Sequence, residues 1–554
     1  MGVFLVLVAV LTEGPFVERL LVERPGVERP DMEIQGVASL FSPTVETSTF
    51  TRPVDGPDFA SLAPAGTLVI VGGASTPPEA EAVFLAAAKS GKNHLILIPT
   101  AAVASDKEAL SSFAKSFEGK VGKVTVLHAK DRTQALAPDF AKVIADASAV
   151  WIGGGDQKRL AERYANTPVE TQLKALLERG GVVGGTSAGA AILSQTMIAG
   201  GNPQPEIQNG LGLIRGLVID QHFSERNRAP RLKIAIGKHP DQAGLGIDES
   251  TAVILKGRDL RVVGKGKATW IGAESGAGAS RQNTIPEKVL PAGTRDDLVR
   301  LFRETFVAGE TKPRGKPAIT RGSVMAVGGG GMGPDLAKKF VGLAGGPDSL
   351  IVILPTAAPE DSPVLQGLQA QRMLGRGGAT KFQVLSGTKR EEVESKEYLE
   401  AIAKAGGVWF GGGRQWRFVD AYEGTKFEQA LKGVLERGGV IGGSSAGATI
   451  LGDYLCRGSP LGNTQMMTPG YEKGFAFLPG VGIDQHFSQR KRFADMEAFR
   501  KAKPEFVGVG IDEATALIAT PKGGEALGPG KVHLYLPGRP AKAFASGETF
   551  PLAP

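Results

Sequence analysis

The chain has 554 residues and a formal net charge of +7, enough length for two full-sized hydrophobic cores. Its 42% apolar and 22% charged residues are an ordinary globular balance that excludes a disordered chain. The single Cys456 excludes a disulfide framework and a cysteine-based metal site, and the six scattered His residues show no HxxxH or HExxH spacing. No apolar run reaches the roughly 18 residues that a membrane helix needs. Lys and Arg are dispersed, so the charge reads as that of a mildly basic protein with no nucleic-acid and no membrane partner.

In chain order, residues 1–60 read as a poorly ordered leader. Val3–Leu11 is mostly apolar but lacks a preceding Lys or Arg and a close small-residue cleavage site. A Val-Glu-Arg triplet recurs at Val17, Val22 and Val27, and a Pro/Ser/Thr-rich stretch runs to Pro64. A cytoplasmic location is the favoured expectation, and a truncated export signal leaves the other open.

From about residue 65 the sequence is one unit written twice. Leu-Val-Ile-Val-Gly-Gly at 68–73 answers Val-Met-Ala-Val-Gly-Gly at 324–329. Leu-Ile-Leu-Ile-Pro-Thr-Ala-Ala at 95–102 answers Ile-Val-Ile-Leu-Pro-Thr-Ala-Ala at 351–358. Val-Trp-Ile-Gly-Gly-Gly-Asp-Gln at 150–157, Gly-Gly-Thr-Ser-Ala-Gly-Ala at 184–190 and Ile-Asp-Gln-His-Phe-Ser at 219–224 recur in the same order at 408–415, 442–448 and 483–488. The offset drifts from 256 through 258 to 264, so two homologous domains are fused head to tail. Unbroken apolar strands alternate with helical segments, among them 79–89 and 171–179, which predicts two doubly wound α/β domains with mostly parallel sheets buried on both faces. The expected division is domain one over 61–290, a helix-bearing linker over 291–319 and domain two over 320–554. Leu298, Leu301, Phe302 and Phe306 place the linker helix at 295–306, with no counterpart after copy two.

Gly185-Thr-Ser-Ala-Gly189 and Gly443-Ser-Ser-Ala-Gly447 each follow an apolar strand and precede a helix-like stretch, the setting of a nucleophile elbow. A serine nucleophile needs a base. His222 and His486 are the one histidine pair at matching positions; His94 faces Leu350 and His239 faces Lys503. For the acid that orients the base, Asp220 and Asp484 lie too near in sequence. Glu249 and Glu513, each 27 residues after its histidine, and their neighbours Asp248 and Asp512 are the candidates, and residue type alone does not choose between Asp and Glu. The glycine runs at 153–155 and 411–413 suit a phosphate cradle or an oxyanion hole shared with the N–H of Ala188 or Ala446. Gly328-x-Gly330-x-x-Gly333 matches a dinucleotide fingerprint only in copy two, and the following strand ends in Pro-Thr instead of an acid, so no nucleotide cofactor is expected. Arg226, Arg228 and Arg231 follow His222, and Arg490, Lys491 and Arg492 follow His486; guanidinium groups there suit a carboxylate.

In this order the motifs resemble the S51 serine peptidases, in their cyanophycinase branch more than their α-aspartyl dipeptidase branch. The resemblance covers roughly 65–290 and 320–554. It implies a flavodoxin-like fold akin to class I glutamine amidotransferases, and a Ser-His-Glu triad made of Ser187, His222 and Glu249 in copy one and Ser445, His486 and Glu513 in copy two. It implies an oxyanion hole at Gly155 and Ala188, matched by Gly413 and Ala446, with no metal and no organic cofactor. The implied substrate is a poly-aspartate carrying arginine on each β-carboxyl. Gln157, Gln221, Arg226, Arg228 and Arg231 would line its pocket, as would Gln415, Gln485, Arg490 and Arg492. Copy two departs at Asp495, nine residues past its histidine where copy one has Arg231, and at Arg414, where copy one has Asp156. Both changes reverse a charge, so copy one is expected to do most of the work. Other readings are an α-aspartyl or isoaspartyl dipeptidase on the same scaffold, and a binding protein with one non-catalytic copy. The two domains are expected to dock as an intrachain pseudo-dimer.

Overall fold

The computed structural model describes residues 58–553 apart from 103–114, 116, 273–286, 308 and 310. Most of the expected leader lies outside these residues. Its last three do not belong to a leader: Phe59 is buried and stacks on Phe306 with ring centres 6.0 Å apart, which fastens the entry of copy one to the linker helix. Among the described residues no helix is long and apolar enough to cross a membrane.

Each copy is built on a parallel five-stranded core. In copy one the spatial order is Lys123–Val126, His94–Ile98, Ala149–Ile152, Val182–Thr186, Thr67–Val71. Four of these strands are apolar enough to be buried along their length, which suits a sheet covered on both faces. The helices Pro78–Lys89 and Pro168–Glu178 agree with the sequence expectation to within a turn. Antiparallel strands Thr251–Lys256, Asp259–Gly264 and Arg295–Asp297 extend the sheet beyond Thr67–Val71. Strands Leu217–Gln221, Ala243–Ile247, Lys267–Ile271 and Glu287–Pro291 form a second sheet. Copy two repeats this plan, with Val440–Ser444 beside Ser323–Val327 and Leu478–Gln485 beside Val507–Ile511.

The linker starts later than its apolar spacing suggested. Arg295–Asp297 is a strand paired with Asp259–Arg261, and Asp297 then caps the helix Leu298–Phe306 by accepting from the Arg300 N–H. Because strand Glu287–Pro291 also crosses the expected boundary at 290, copy one extends through this helix, whose Phe302 is fully buried in its core. The helix also reaches copy two: Arg303 donates to the Gly470 carbonyl and to Glu423. From the 257–258 turn, Arg258 donates to Asp420 and to the Tyr471 hydroxyl. A twofold pair would repeat each contact with the copies exchanged. Lys522, which stands where Arg258 does, is instead exposed.

Candidate active site

Parallel register assembles the site from separate motifs. Val71 lies opposite Thr186, so the strand ending in Gly72-Gly73 finishes beside the strand that delivers Ser187. Gln221 lies opposite Ile247 in the second sheet, so His222 and the Asp248-Glu249 pair leave adjacent strand ends together. Two backbone bonds fix this point: the Ser187 N–H donates to the Val71 carbonyl at 3.0 Å within the first sheet, and the His222 N–H donates to the Gly72 carbonyl at 2.7 Å, which ties the second sheet to the first. The constant 27-residue spacing between histidine and glutamate thus reflects one strand-helix-strand crossover repeated in both copies.

Ser187 sits at φ 54° and Ser445 at φ 57°, the left-handed backbone of an elbow that lifts the side chain off the strand end. Ser187 Oγ is 2.8 Å from His222 Nε2, and His222 Nδ1 is 2.6 Å from Glu249 Oε1. In copy two the corresponding distances are 3.0 Å and 2.5 Å. The Asp-or-Glu choice is resolved by geometry, because Asp248 accepts from the Ser224 and Lys267 backbone N–H groups and Asp512 from those of Ser488 and Lys531. These aspartates fix the turn, and the glutamates face the imidazoles. Burial lowers the His222 and His486 pKa below the ordinary 6.5, with the hydrogen bond to glutamate opposing it.

Glycine is required beside both imidazoles. A Cβ on Gly73, at φ +114°, would stand 2.2 Å from His222 Cε1, and one on Gly329 the same distance from His486 Cε1. The Gly-Gly pair was visible in the sequence as a repeated motif, but its purpose appears only once the ring is placed. The triple-glycine loop passes next to Ser187, with a Cβ on Gly154 falling 3.2 Å from Ser187 Cβ. Gly155 turns at φ +138°, and a Cβ there would meet the Ala101 carbonyl oxygen at 2.2 Å; Gly413 repeats this against Ala357 at 2.0 Å. Ala188 and Ala446 each open a one-turn helix, so their N–H groups lie outside its ladder. Gly330, the centre of the dinucleotide-like match, packs against Glu513.

The residues expected to line the pocket divide into three groups. Arg226 and Arg490 are exposed and close enough to His222 and His486 to act on their charge. Gln157, Gln221, Gln415 and Gln485 are buried. Gln157 donates to the Ile198 carbonyl, Gln415 to those of Cys456 and Arg457, and Gln485 Oε1 is buried without a hydrogen-bond partner among the described residues.

Arg228, Arg231 and Arg492 differ from expectation. Their guanidinium groups are committed to the buried carboxylate two residues before the histidine. Arg231 meets Asp220 through two nitrogens at 2.7 Å and 2.5 Å and the Gly201 carbonyl through a third, and Arg228 joins Asp220 at 3.3 Å. They brace the strand that carries His222 and are not presented as free cations.

The charge reversal at Asp495 also has a different meaning. Arg457, from the loop after Gly452–Tyr454, meets Asp484 at 2.9 Å through two nitrogens and Asp495 at 2.6 Å, while Arg492 donates to Asp484 at 2.7 Å. Asp484 therefore keeps two guanidinium partners, and Asp495 is neutralised within the fold. At the offset of 258 Ala199 stands where Arg457 does, so comparison of the copies could not find this arginine. Arg414 likewise binds the Ser459 carbonyl at 2.8 Å.

The family model for peptidase family S51 matches residues 68–263 and again 324–526, together well over half the chain. The chain is similar to a cyanophycinase of Trichormus variabilis, 32% identical over 43% of this chain and 87% of that protein. It is also similar to a cyanophycinase of Geminocystis herdmanii, 38% identical over 27% of this chain and 58% of that protein, so the match spans little more than half of that relative. A solved structure of a peptidase from an acI-B1 Actinobacterium is similar at 23% identity and a TM-score of 0.36, over 42% of this chain and 96% of that one. Matched twice along its length and at both elbows, this chain belongs to peptidase family S51.

Proposed function

We propose that the protein is a serine exopeptidase of cyanophycinase type with two working sites, acting on β-aspartyl peptides such as cyanophycin, the poly-aspartate that carries arginine on its β-carboxyls. The observation that carries this reading is the unbroken Ser-His-Glu line, formed twice from strand ends that converge from two sheets. In the first site His222 Nε2 takes the Ser187 proton as Oγ attacks the peptide carbonyl. Glu249 accepts from Nδ1–H, holds that tautomer and stabilises the imidazolium. The N–H groups of Ala188 and Gly155 receive the negative oxygen. His222 hands the proton to the leaving amine, and the acyl-enzyme is then hydrolysed by a water that His222 deprotonates. Ser445, His486, Glu513, Ala446 and Gly413 act in the same way.

In this reading Arg226 and Arg490, exposed beside the two imidazoles, receive a substrate carboxylate. Both sites work within one chain, which should sediment near its own 57.8 kDa. The reading is tested by incubating the protein with cyanophycin and with a panel of α- and β-aspartyl peptides, then identifying the products. Release of β-Asp-Arg is expected. Cleavage confined to α-aspartyl dipeptides, or no cleavage of any substrate, would overturn it.

A further inference from the structure

We propose that copy one braces the active site of copy two: Arg258 and Arg303 are positioning residues for the Ser445-His486-Glu513 site, and among the described residues the first site has no equivalent support. The catalytic part of this inference rests on the peptidase reading above; the conformational part does not.

Two elements frame the second site. The helix Trp416–Tyr422 begins directly after Gln415, and the loop 455–473 is joined to that corner by the Gln415 amide, which donates to the Cys456 and Arg457 carbonyls at 2.9 Å and 2.6 Å. Through Arg457 the same loop reaches Asp484, two residues before His486. Copy one grips both elements. Arg258 donates to Asp420 at 2.7 Å and to the Tyr471 hydroxyl at 3.0 Å, and its guanidinium lies 4.0 Å from the Trp416 ring centre. Arg258 is itself held by Asp297 at 2.5 Å and 2.9 Å. Arg303 donates to the Gly470 carbonyl at 2.8 Å and to Glu423 at 2.6 Å, and lies 4.5 Å from the Tyr471 ring centre. The approach is close: a Cβ on Gly470 would stand 2.6 Å from the backbone of Arg303 and Glu304. Tyr471 and Arg303 are buried, so the contact is desolvated and its loss leaves charge without a partner.

The first site is built differently at the same place. Between elbow and histidine the offset between copies rises from 258 to 264, so copy two carries six extra residues there. Copy one closes this stretch as an antiparallel hairpin, Thr196–Gly200 paired with Glu206–Asn209 with one register shift between Ile198 and Gly200. The longer segment in copy two has almost no strand pairing of its own, and such a loop depends on outside contacts to hold one conformation. In copy one Glu162, which stands where Asp420 does, is exposed, as are Glu206, Gln208 and Asn209 on the hairpin.

The test is hydrogen–deuterium exchange with mass spectrometry on the full chain, comparing Arg258→Met, Arg303→Met and Arg258→Lys with the unsubstituted protein. Peptides over 455–473 are expected to exchange about tenfold faster in the Met variants, peptides over 196–209 to stay unchanged, and Arg258→Lys to fall between. Tyr471→Phe, which removes a single hydroxyl, should show the same localised change if Arg258→Met fails to fold. In a Ser187→Ala background Arg258→Met should lower kcat/KM on a β-aspartyl peptide about tenfold, chiefly by raising KM. In a Ser445→Ala background the rate should change less than about twofold. Unaltered exchange at 455–473, or equal losses at both sites, would overturn the proposal. An unsubstituted protein that cleaves no aspartyl peptide would overturn the peptidase reading instead, and the exchange data would still decide the brace.

Discussion

Copy one fastens the carboxylate two residues before His222 with Arg231, eleven residues further along the chain, whereas copy two fastens the carboxylate two residues before His486 with Arg457, which precedes it by 27 residues. The position nine residues past the histidine carries Asp495 in copy two, which pairs with this arginine. The two copies differ by a charge reversal in one dimension and by little in three. A buried carboxylate needs cationic partners, but it does not need them from a particular element. The argument that copy two must be the slower site because of a repulsive aspartate therefore loses its physical basis. What remains different between the sites is the long loop, the Arg414 side chain bound to it and the contacts that Arg258 and Arg303 make with copy two.

The comparison is sharpened first by the orienting acid, where the largest effect is expected. Glu249→Gln read in a Ser445→Ala background, and Glu513→Gln read in a Ser187→Ala background, should each lower kcat about 10⁴-fold, because the wrong tautomer is presented to serine. Closely matched losses support equivalent triads. A loss of less than about tenfold at one site would mark its histidine as oriented by something else.

Next comes the transposed brace. Arg457→Met should destabilise copy two by about 3–5 kcal/mol in urea unfolding, since Asp484 keeps only Arg492 in a buried setting. Adding Asp495→Arg rebuilds the arrangement of copy one and should recover at least half of the loss. If Arg457→Met proves neutral, the transposition has no energetic meaning.

A smaller effect is expected from the glycine under the imidazole. Gly73→Ala should cut first-site kcat/KM about 10²-fold by displacing the ring, with the second site unaffected. Equal rates for this variant and the parent would show that the ring has room to move.

The pH dependence is the finest of these comparisons. Burial lowers both histidine pKa values below 6.5, and the base acts when neutral, so the acid limb of kcat/KM should lie below pH 6.5 at each site. The same sign applies to stability. The unfolded chain takes up the proton first, so this contribution to stability is lost as pH falls below about 6.5. Replacing Glu249 by Gln removes an interaction that raises the His222 pKa and should move the limb lower still. A limb above pH 6.5 would mean that the glutamate outweighs burial.

The duplication made most of the molecule readable from sequence. Ser187, His222 and the candidate acids stood out because each recurred, and unbroken apolar strands gave the parallel core. The second sheet did not show itself, because its strands look like those of the first and only pairing separates them. The choice of Glu249 over Asp248 depended on the register of Gln221 with Ile247, which no spacing conveys. The arginines after His222 were visible, but their direction was not: the same residues suit a substrate carboxylate or the buried Asp220. Arg457 and Arg258 gave no signal, since each belongs to one copy alone and comparing copies finds only what they share.

The most direct test of two working triads is the rate of β-Asp-Arg release measured for Ser187→Ala, Ser445→Ala and the double variant on one preparation of cyanophycin. Each single variant should retain the activity of the intact site, and the double variant should fall about 10⁶-fold below the parent. If either single substitution alone abolishes turnover, the other triad is assembled but idle, and the claim of two working sites fails.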